Sequence, residues 1–191
     1  MERESWSDDE IVRRLRADDA HALDLLIARF YRPLLNFVLG YVDGIDAAED
    51  VLQDLFIWIW ERRRTLQPAT TLQAYLYTAS RNGALNAKTR QASRSRREVI
   101  TSAGAVPVAP IGSDRIEEAE LNRAVARALT TMSARSREVY TLGMRHGLTY
   151  REIAATLGIS IPTAQTHMIR ALKALETALG PFLLVAVLLA H

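Results

Sequence analysis

The spacing of apolar side chains constrains this chain more than any other feature. Along most of its 191 residues, apolar side chains recur at three- and four-residue steps, the repeat that lines one face of a helix. Runs of β-branched residues are rare, and Leu, Ala and Arg dominate. Because that composition also favours helices over strands, we expect an all-α protein.

One stretch interrupts this repeat. From about Gln91 to Asp114, Ser, Gly and Pro replace the periodic pattern, as is typical of a flexible linker. The linker predicts two small helical domains and leaves their relative arrangement open. We expect an N-terminal domain over residues 8–92, a linker over 93–114, a C-terminal domain over 115–179 and a hydrophobic tail over 180–191.

Turn signals divide the N-terminal domain into helices. A first periodic segment runs from Asp8 to Val42, with Pro33 near a helix start or at a kink. After the turn signal Asp43-Gly44, a second helix is expected from near Asp46 to Glu61. Residues 67–71 are expected to form a loop. The next helix, about 72–90, should turn inward the side chains of Leu72, Tyr75, Leu76, Ala79 and Leu85.

Charge is segregated along the chain, although the formal net charge is only +2. Between Asp46 and Asp54 there are four acids and no base, whereas between Arg81 and Arg97 there are six bases and no acid. Such segregation indicates two surfaces for two different partners. The alternative is that both runs are solvated helix faces.

The sequence does not carry the convergent groups of an enzyme. It has no cysteine, no phosphate-cradling glycine loop and no nucleophile elbow. Its four histidines are far apart in sequence and not at metal-ligand spacing. The carboxylates near Asp50 have no candidate acid–base partner. We therefore expect no catalysis, no cofactor and no metal site.

The stretch from Thr149 to Leu175 has the pattern of a helix-turn-helix. A capping box (Thr149, Glu152), the turn glycine Gly158 and the cap Ser160 define two short helices. The alternative is a helical hairpin with a solvated face. The inward set is expected to be Ile153, Ala154, Leu157, Ile159, Ala164, Met168, Leu172 and Leu175. The outward set, which would meet DNA, is expected to be Thr163, Gln165, Thr166, Ile169, Arg170 and Lys173.

A second candidate nucleic-acid surface lies on the helix before the linker. Asn82 and Asn86 are four residues apart and so share one helix face. Amide side chains can read base edges, and Lys88 and Arg90, further along, can hold the backbone.

Three motifs in order resemble the extracytoplasmic-function group of RNA polymerase sigma factors, of the sigma-70 family. The first is the acidic helix Asp46–Phe56, and the second is Tyr75–Asn82, an aromatic-Leu-Tyr stretch that ends in Asn. The third is Gly147–Ala154 with the helix-turn-helix that follows. The resemblance covers about residues 8–179. It implies a helical region 2 domain, a flexible linker and a helical region 4 domain.

The resemblance implies a role for each part of the chain. The first domain would bind the clamp of the largest subunit of core RNA polymerase, and the linker would run towards the RNA exit path and the flap. Polymerase binding would use Asp46, Glu49, Asp50, Gln53 and Asp54. Capture of an unstacked base of the melted −10 element would use Leu66, Gln67, Thr70, Thr71, Asn82, Asn86, Lys88 and Arg90. Reading of the −35 duplex would use Arg151, Thr163, Gln165, Thr166, Ile169, Arg170 and Lys173.

The C-terminal tail departs from the family pattern. Gly180-Pro181 is expected to stop the last helix, and Phe182–Ala190 is apolar throughout. The tail is too short to span a bilayer and is expected to fold back on one of the chain's own domains. A sharper hypothesis is self-inhibition, in which the tail stands in for a separate anti-sigma factor. The polar N-terminus is unlike a secretion signal, so we expect a cytoplasmic protein.

Two other functions account for parts of the sequence. A free-standing, dimeric helix-turn-helix regulator would account for the C-terminal half but leaves the acidic helix and the Asn pair without a role. An all-helical adaptor that binds protein and no DNA is the second alternative. Unchanged DNA binding after Asn82→Ala or Arg170→Ala would favour the adaptor.

Overall fold

A computed structural model of the protein describes residues 6–95, 125 and 128–189, and describes side chains over 6–91, 125 and 128–180. The chain divides into two compact units between Val106 and Pro107. Within the described residues every regular element is helical, so the fold is all-α, as expected. Most of the predicted linker lies outside the described residues.

The described part of the N-terminal unit, residues 6–95, contains four α-helices and one 3-10 turn. Ser7 caps the first helix by accepting a hydrogen bond from the Glu10 amide, and Asp19 caps the second through the His21 amide. The first periodic segment is therefore two helices. The elements are α1 (Asp8–Arg16), α2 (Ala20–Val38), α3 (Ile45–Glu61), the 3-10 turn (Arg63–Thr65) and α4 (Leu72–Ser95).

One proline and two glycines shape the helices of this unit. Pro33 lies inside α2, which continues to Val38. Gly44 has a φ of 93°, a conformation that favours glycine, and it begins α3 at the predicted turn. A Cβ on Gly83 would lie only 3.2 Å from Val51 Cγ1, so a glycine allows α4 to approach α3 closely.

Leu72 and Leu76 of α4 are buried as expected, but other residues of α4 also face the core of this unit. Tyr77 and Ala84 are buried, and the Tyr77 ring meets the edge of Phe37 with centroids 5.0 Å apart. Leu85, expected inside, is exposed, because its neighbour Ala84 occupies the buried position beside Gly83. Helix α4 also runs to Ser95, past the predicted domain end at residue 92.

The C-terminal unit follows the predicted capping signals closely. Ser133 caps its helix by accepting a hydrogen bond from the Ser136 amide, and Gly147 has a φ of 68° after a π-helical turn. Residues 128–131 are helical as well. The elements are α5 (Ala134–Tyr140), the π-helical turn (Thr141–Arg145), α6 (Tyr150–Leu157) and α7 (Ile161–Leu189).

Helix α7 packs through one narrow apolar stripe. Ala164, Met168, Ala171 and Leu175 are buried at steps of four, three and four residues. Leu172, expected inside, is 45% exposed because Ala171 holds the buried position at that turn. Ala171 and Leu175 pack with Ala128, Leu129 and Met132.

The last helix does not stop where the sequence suggested. Helix α7 continues through Gly180 and Pro181 to Leu189, so the prediction of a break there is wrong. A proline removes one amide donor and crowds the carbonyl four residues earlier, here that of Thr177, and a helix can absorb both. Where the tail side chains pack lies outside the described residues. No described helix is long and apolar enough to cross a membrane.

Candidate functional site

The predicted acidic residues form one exposed face of α3, here called the acidic face. All of its members are exposed, and at 3.6 residues per turn they fall within an arc of about 140°. The opposite side of α3 is buried in the core, which fixes this face outward. The acidic face comprises Asp46, Glu49, Asp50, Gln53 and Asp54.

An apolar groove of about 530 Å³ borders the acidic face. The Tyr31 hydroxyl donates to the Glu49 carboxylate over 3.3 Å, and burial together with Glu49 raises the pKa of Tyr31. Ile57 is 50% exposed in the groove. An apolar surface with an acidic edge suits a protein partner whose own surface is basic at its rim. The groove is lined by Leu23, Ile27, Tyr31, Glu49, Gln53, Phe56, Ile57 and Trp60.

A smaller cavity, here called the α3–α4 pocket, opens between the end of α3 and the start of α4. Its volume is about 230 Å³. The rings of Trp58 and Tyr75 lie 6.2 Å apart with planes inclined by 32°, and the Arg62 guanidinium carbon lies 4.8 Å from the Trp58 centroid. Two aromatic rings and a cation are groups on which a nucleobase can stack. The pocket is lined by Trp58, Arg62, Thr65, Leu66, Gln67 and Tyr75.

The predicted −10 loop residues have separate jobs in the structure. Gln67 lines the α3–α4 pocket and is exposed. Leu66 is only 3% exposed, so its side chain anchors the loop to the core. Thr71 caps α4, because its hydroxyl accepts a hydrogen bond from the Ala74 amide over 3.3 Å. Thr70 is half-buried in the same loop.

Helix α4 continues a polar stripe from the pocket. Tyr75, Asn82 and Asn86 are separated by seven and four residues and so share one helix face, and both asparagines are exposed. Arg90 lies towards the same side, whereas the register turns Lys88 to another face. The structure therefore groups the Asn pair with Tyr75 and separates it from Lys88.

The sequence reasoning missed four lining residues, Trp58, Arg62, Thr65 and Tyr75. Tyr75 was expected inside and is half-buried, while Trp58 is 37% exposed. The sequence does show aromatic side chains close to a basic run, Arg62 to Arg64, but it does not show that they form a pocket with Tyr75.

The helix-turn-helix forms as its local signals predict. The Glu152 carboxylate accepts from the Thr149 amide over 2.8 Å, and the Thr149 hydroxyl accepts from the Glu152 amide over 3.3 Å, which completes the capping box. Gly158 has a φ of 65° and ends α6 in the left-handed conformation. Ser160 then accepts from the Thr163 amide over 3.2 Å at the start of α7.

The outward face of α7 is exposed as expected. Its hydroxyl and amide groups lie near the helix start and its cations further along, the order that suits base edges and phosphates in a major groove. Arg151 is exposed on α6. His167 lies at the border of this face and is half-buried. The exposed residues are Thr163, Gln165, Thr166, Ile169, Arg170 and Lys173.

Two family models match this chain, one in each unit. Residues 26–94 match sigma-70 region 2, and residues 122–175 match sigma-70 region 4. The first range contains the acidic face and the α3–α4 pocket, and the second contains the helix-turn-helix. The chain belongs to the sigma-70 family. It is a sigma factor, which directs promoter-specific transcription initiation, and a free-standing regulator is not favoured.

Relatives match over nearly the whole chain. The chain is 26% identical over 188 residues to the ECF RNA polymerase sigma-E factor of Escherichia coli (strain K12), covering 94% of this chain and 98% of that protein. It is 25% identical over 187 residues to the RNA polymerase sigma-H factor of Pseudomonas aeruginosa, with coverage of 92% and 95%.

Solved structures share the fold. CnrH in complex with the cytosolic domain of CnrY is 23% identical, with a TM-score of 0.61 and coverage of 91% of this chain and 97% of that chain. RpoE in complex with the anti-sigma factor NepR from Bartonella quintana is 23% identical, with a TM-score of 0.57 and coverage of 89% and 92%.

Proposed function

We propose that this sigma factor binds core RNA polymerase through the acidic face of α3 and the apolar groove beside it. The observation that carries this proposal is the five outward polar residues on one helix face next to exposed apolar side chains such as Ile57. A basic, partly apolar helical surface on the polymerase clamp would complement it. The chain itself catalyses nothing and works in the cytoplasm, where polymerase meets the chromosome.

The −10 element would be read by the α3–α4 pocket and the stripe beyond it. A base extruded from the duplex would stack on the ring of Trp58 or Tyr75, with Gln67 at its edge. Asn82 and Asn86 would contact the neighbouring single-stranded nucleotides, because they continue the face of Tyr75. Arg90 would hold the backbone.

The −35 element would be read by α7 in the major groove. Thr163, Gln165 and Thr166 lie in its first turns and would reach base edges, whereas Arg170 and Lys173 would contact guanine or phosphate. Ile169, which is 66% exposed, would meet a thymine methyl group. Arg151 on α6 would hold the flanking phosphate backbone.

A regulatory partner is also expected. CnrH and the Bartonella RpoE were each solved with a bound partner protein, and the second partner is named an anti-sigma factor. An anti-sigma factor for this chain would compete with polymerase for the apolar groove. Self-inhibition by the tail 180–191 would make such a partner unnecessary.

The experiment is complex formation with bacterial core RNA polymerase, followed by size-exclusion chromatography. Wild type should co-elute with the core, and Asp50→Arg combined with Gln53→Ala should not. Asp9→Arg, an equal charge reversal at an exposed acid of α1, is the matched control and should co-elute. If wild type fails to bind both with and without residues 180–191, the proposal is wrong, whereas binding restored by the deletion indicates self-inhibition.

A further inference from the structure

The corner between α1 and α2 has an unusual backbone. Asp18 has a φ of 64°, in the left-handed region that residues other than glycine seldom adopt. This conformation turns the chain sharply between the Arg16 end of α1 and the Asp19 cap of α2. It also leaves the Asp18 carboxylate 37% exposed and directed at a distant segment of the same unit.

The Asp18 carboxylate binds two consecutive arginines of the 3-10 turn. Arg63 Nε donates to Oδ1 over 2.6 Å, and Arg64 donates to the same carboxylate through Nε, at 2.9 Å from Oδ2, and through Nη2. The hydrogen bonds from Arg64, and to a lesser extent those from Arg63, hold the pKa of Asp18 below its usual value. The carboxylate is therefore ionised throughout the physiological pH range.

Arg16 holds the next residue of the same segment. Its Nε and Nη2 atoms donate to the Leu66 carbonyl oxygen over 2.8 Å and 2.6 Å. Because two nitrogen atoms of one guanidinium donate to the same carbonyl oxygen, the contact fixes the position of the backbone at Leu66. The Leu66 side chain is itself buried, so this loop start is held through both its backbone and its side chain.

The segment held in this way forms one wall of the α3–α4 pocket. Thr65, Leu66 and Gln67 all line the pocket. Arg16 holds the Leu66 backbone, and Thr65 lies between Leu66 and the two arginines that bind Asp18. A wall that is ordered before the base arrives does not have to be ordered at the expense of binding energy. The corner itself does not line the pocket.

We propose that Arg16 and Asp18 are positioning residues for promoter melting, which hold the wall of the α3–α4 pocket ready for the extruded base. The inference rests on the proposed function of the pocket. Substitution at either position should weaken capture of the −10 base. It should leave polymerase binding unchanged, since neither residue belongs to the acidic face on α3.

The test uses holoenzyme assembled from the full chain and core polymerase, on a promoter selected by wild-type holoenzyme from randomised duplex DNA. Permanganate reactivity of thymines measures the open complex, and co-elution measures core binding. The variants are Arg16→Ala, Arg16→Lys, and Asp18→Asn and Asp18→Gly, which both tolerate a positive φ. Arg13→Ala is the matched control, because Arg13 lies on the same helix and pairs with Glu10.

We expect Arg16→Ala and both Asp18 variants to lower the open-complex equilibrium about tenfold or more with normal core binding. Arg16→Lys should recover only part of the open-complex formation that is lost in Arg16→Ala, because an ammonium cannot give the forked pair of donors. Amide hydrogen exchange at residues 65–67 of the free protein should accelerate in the impaired variants and not in Arg13→Ala. Faster exchange with normal melting would overturn the positioning role.

A pocket variant separates the two hypotheses. Trp58→Ala with Tyr75→Ala removes the stacking rings without touching the corner. If this double variant melts the promoter normally, the proposed function of the pocket has failed. If it fails to melt and the corner variants melt normally, only the present inference is wrong.

Discussion

The Ser136 hydroxyl oxygen lies 3.2 Å from Nδ1 of His167. Ser133 donates to the Ser136 hydroxyl over 2.9 Å, which leaves the Ser136 proton available to His167. When Ser136 donates, Nδ1 accepts, and the neutral ring carries its proton on Nε2, away from α5. A serine pair at the start of α5 thus orients a histidine at the border of the face of α7 that we assign to DNA.

This orientation predicts a pH dependence of DNA binding. The pKa of His167 is lowered first by burial and then by Arg170 and Arg135, against Glu138, so the free protein carries a neutral ring at neutral pH. A DNA phosphate near Nε2 would favour the charged ring, so binding would take up a proton. Affinity for a mixed-sequence duplex should rise as pH falls through the bound-state pKa, by at most about tenfold per pH unit.

Fluorescence anisotropy at fixed salt between pH 8 and pH 5.5 measures this dependence. His167→Gln should flatten the profile, and Ser136→Ala should reduce its amplitude because the ring loses its fixed orientation. His21→Gln, which removes an exposed histidine from the other unit, is the control and should keep the wild-type profile. Equal profiles for wild type and His167→Gln would contradict the assignment.

The exposure of Leu172 predicts that a charge can be added there. Its side chain is 45% exposed and lies about two helical turns beyond Gln165 on the same side of α7. Leu172→Arg should tighten duplex binding and steepen the slope of log affinity against log salt by about 0.9, the value for one further phosphate neutralised. Glu176→Arg, one turn further along α7, adds charge further from the first turns that we place in the major groove and should change the slope less. An unchanged slope for Leu172→Arg would mean that DNA does not reach this side.

The capping box predicts a measurable stability loss. Thr149→Ala removes the acceptor for the Glu152 amide and should lower the unfolding free energy by about 1 kcal/mol. Urea denaturation of full-length protein, with hydrogen exchange of α6 amides to localise the effect, measures it. Thr177→Ala removes an exposed hydroxyl that donates to the Lys173 carbonyl of its own helix, and it should cost far less. Equal losses would show that the box contributes nothing specific.

His146 predicts acid sensitivity of the C-terminal unit. Burial, followed by the charge of Arg145, lowers the pKa of His146 to about 4. Between the unfolded value near 6.5 and about 4, the unfolded chain binds the proton and the folded chain does not. Stability should therefore fall as pH falls through this window, by up to about 1.4 kcal/mol per pH unit.

Denaturant midpoints followed by exchange of α5 and α6 amides between pH 7 and pH 5 measure this loss. His146→Gln should remove most of it, and the smaller remainder would come from His167. Glu10 does not interfere, because Arg13 and then Arg14 lower its pKa to about 2, so its contribution is lost only below about pH 4.5. A pH-independent midpoint in wild type would contradict the prediction.

Local rules predicted the parts of this fold that depend on neighbours in sequence. The caps at Ser133 and Thr149 and the turn at Gly158 need only residues within a few positions, and each forms as expected. The prediction of the buried stripe of α7 is wrong at one residue, Leu172, because Ala171 and Leu172 both fit the repeat. Which one faces inward depends on packing against residues 128–132, more than thirty positions away.

The candidate site divides in the same way. The acidic face and the outward residues of α7 follow from helix periodicity, and all of them are exposed. The α3–α4 pocket was not predictable, because its wall depends on contacts such as Arg16 to Leu66, which span 50 positions in the chain. Arg63 and Asp18 are similarly 45 positions apart. No periodic pattern signals such a contact.

The measurement that tests the account most directly is transcription in vitro by core polymerase with this chain, on the selected promoter. We predict transcripts from one start site with wild type, a loss with Asn82→Ala and Arg170→Ala together, and little effect of Arg13→Ala. Transcripts that are the same with and without the chain would contradict the account, as would undiminished initiation by the double variant.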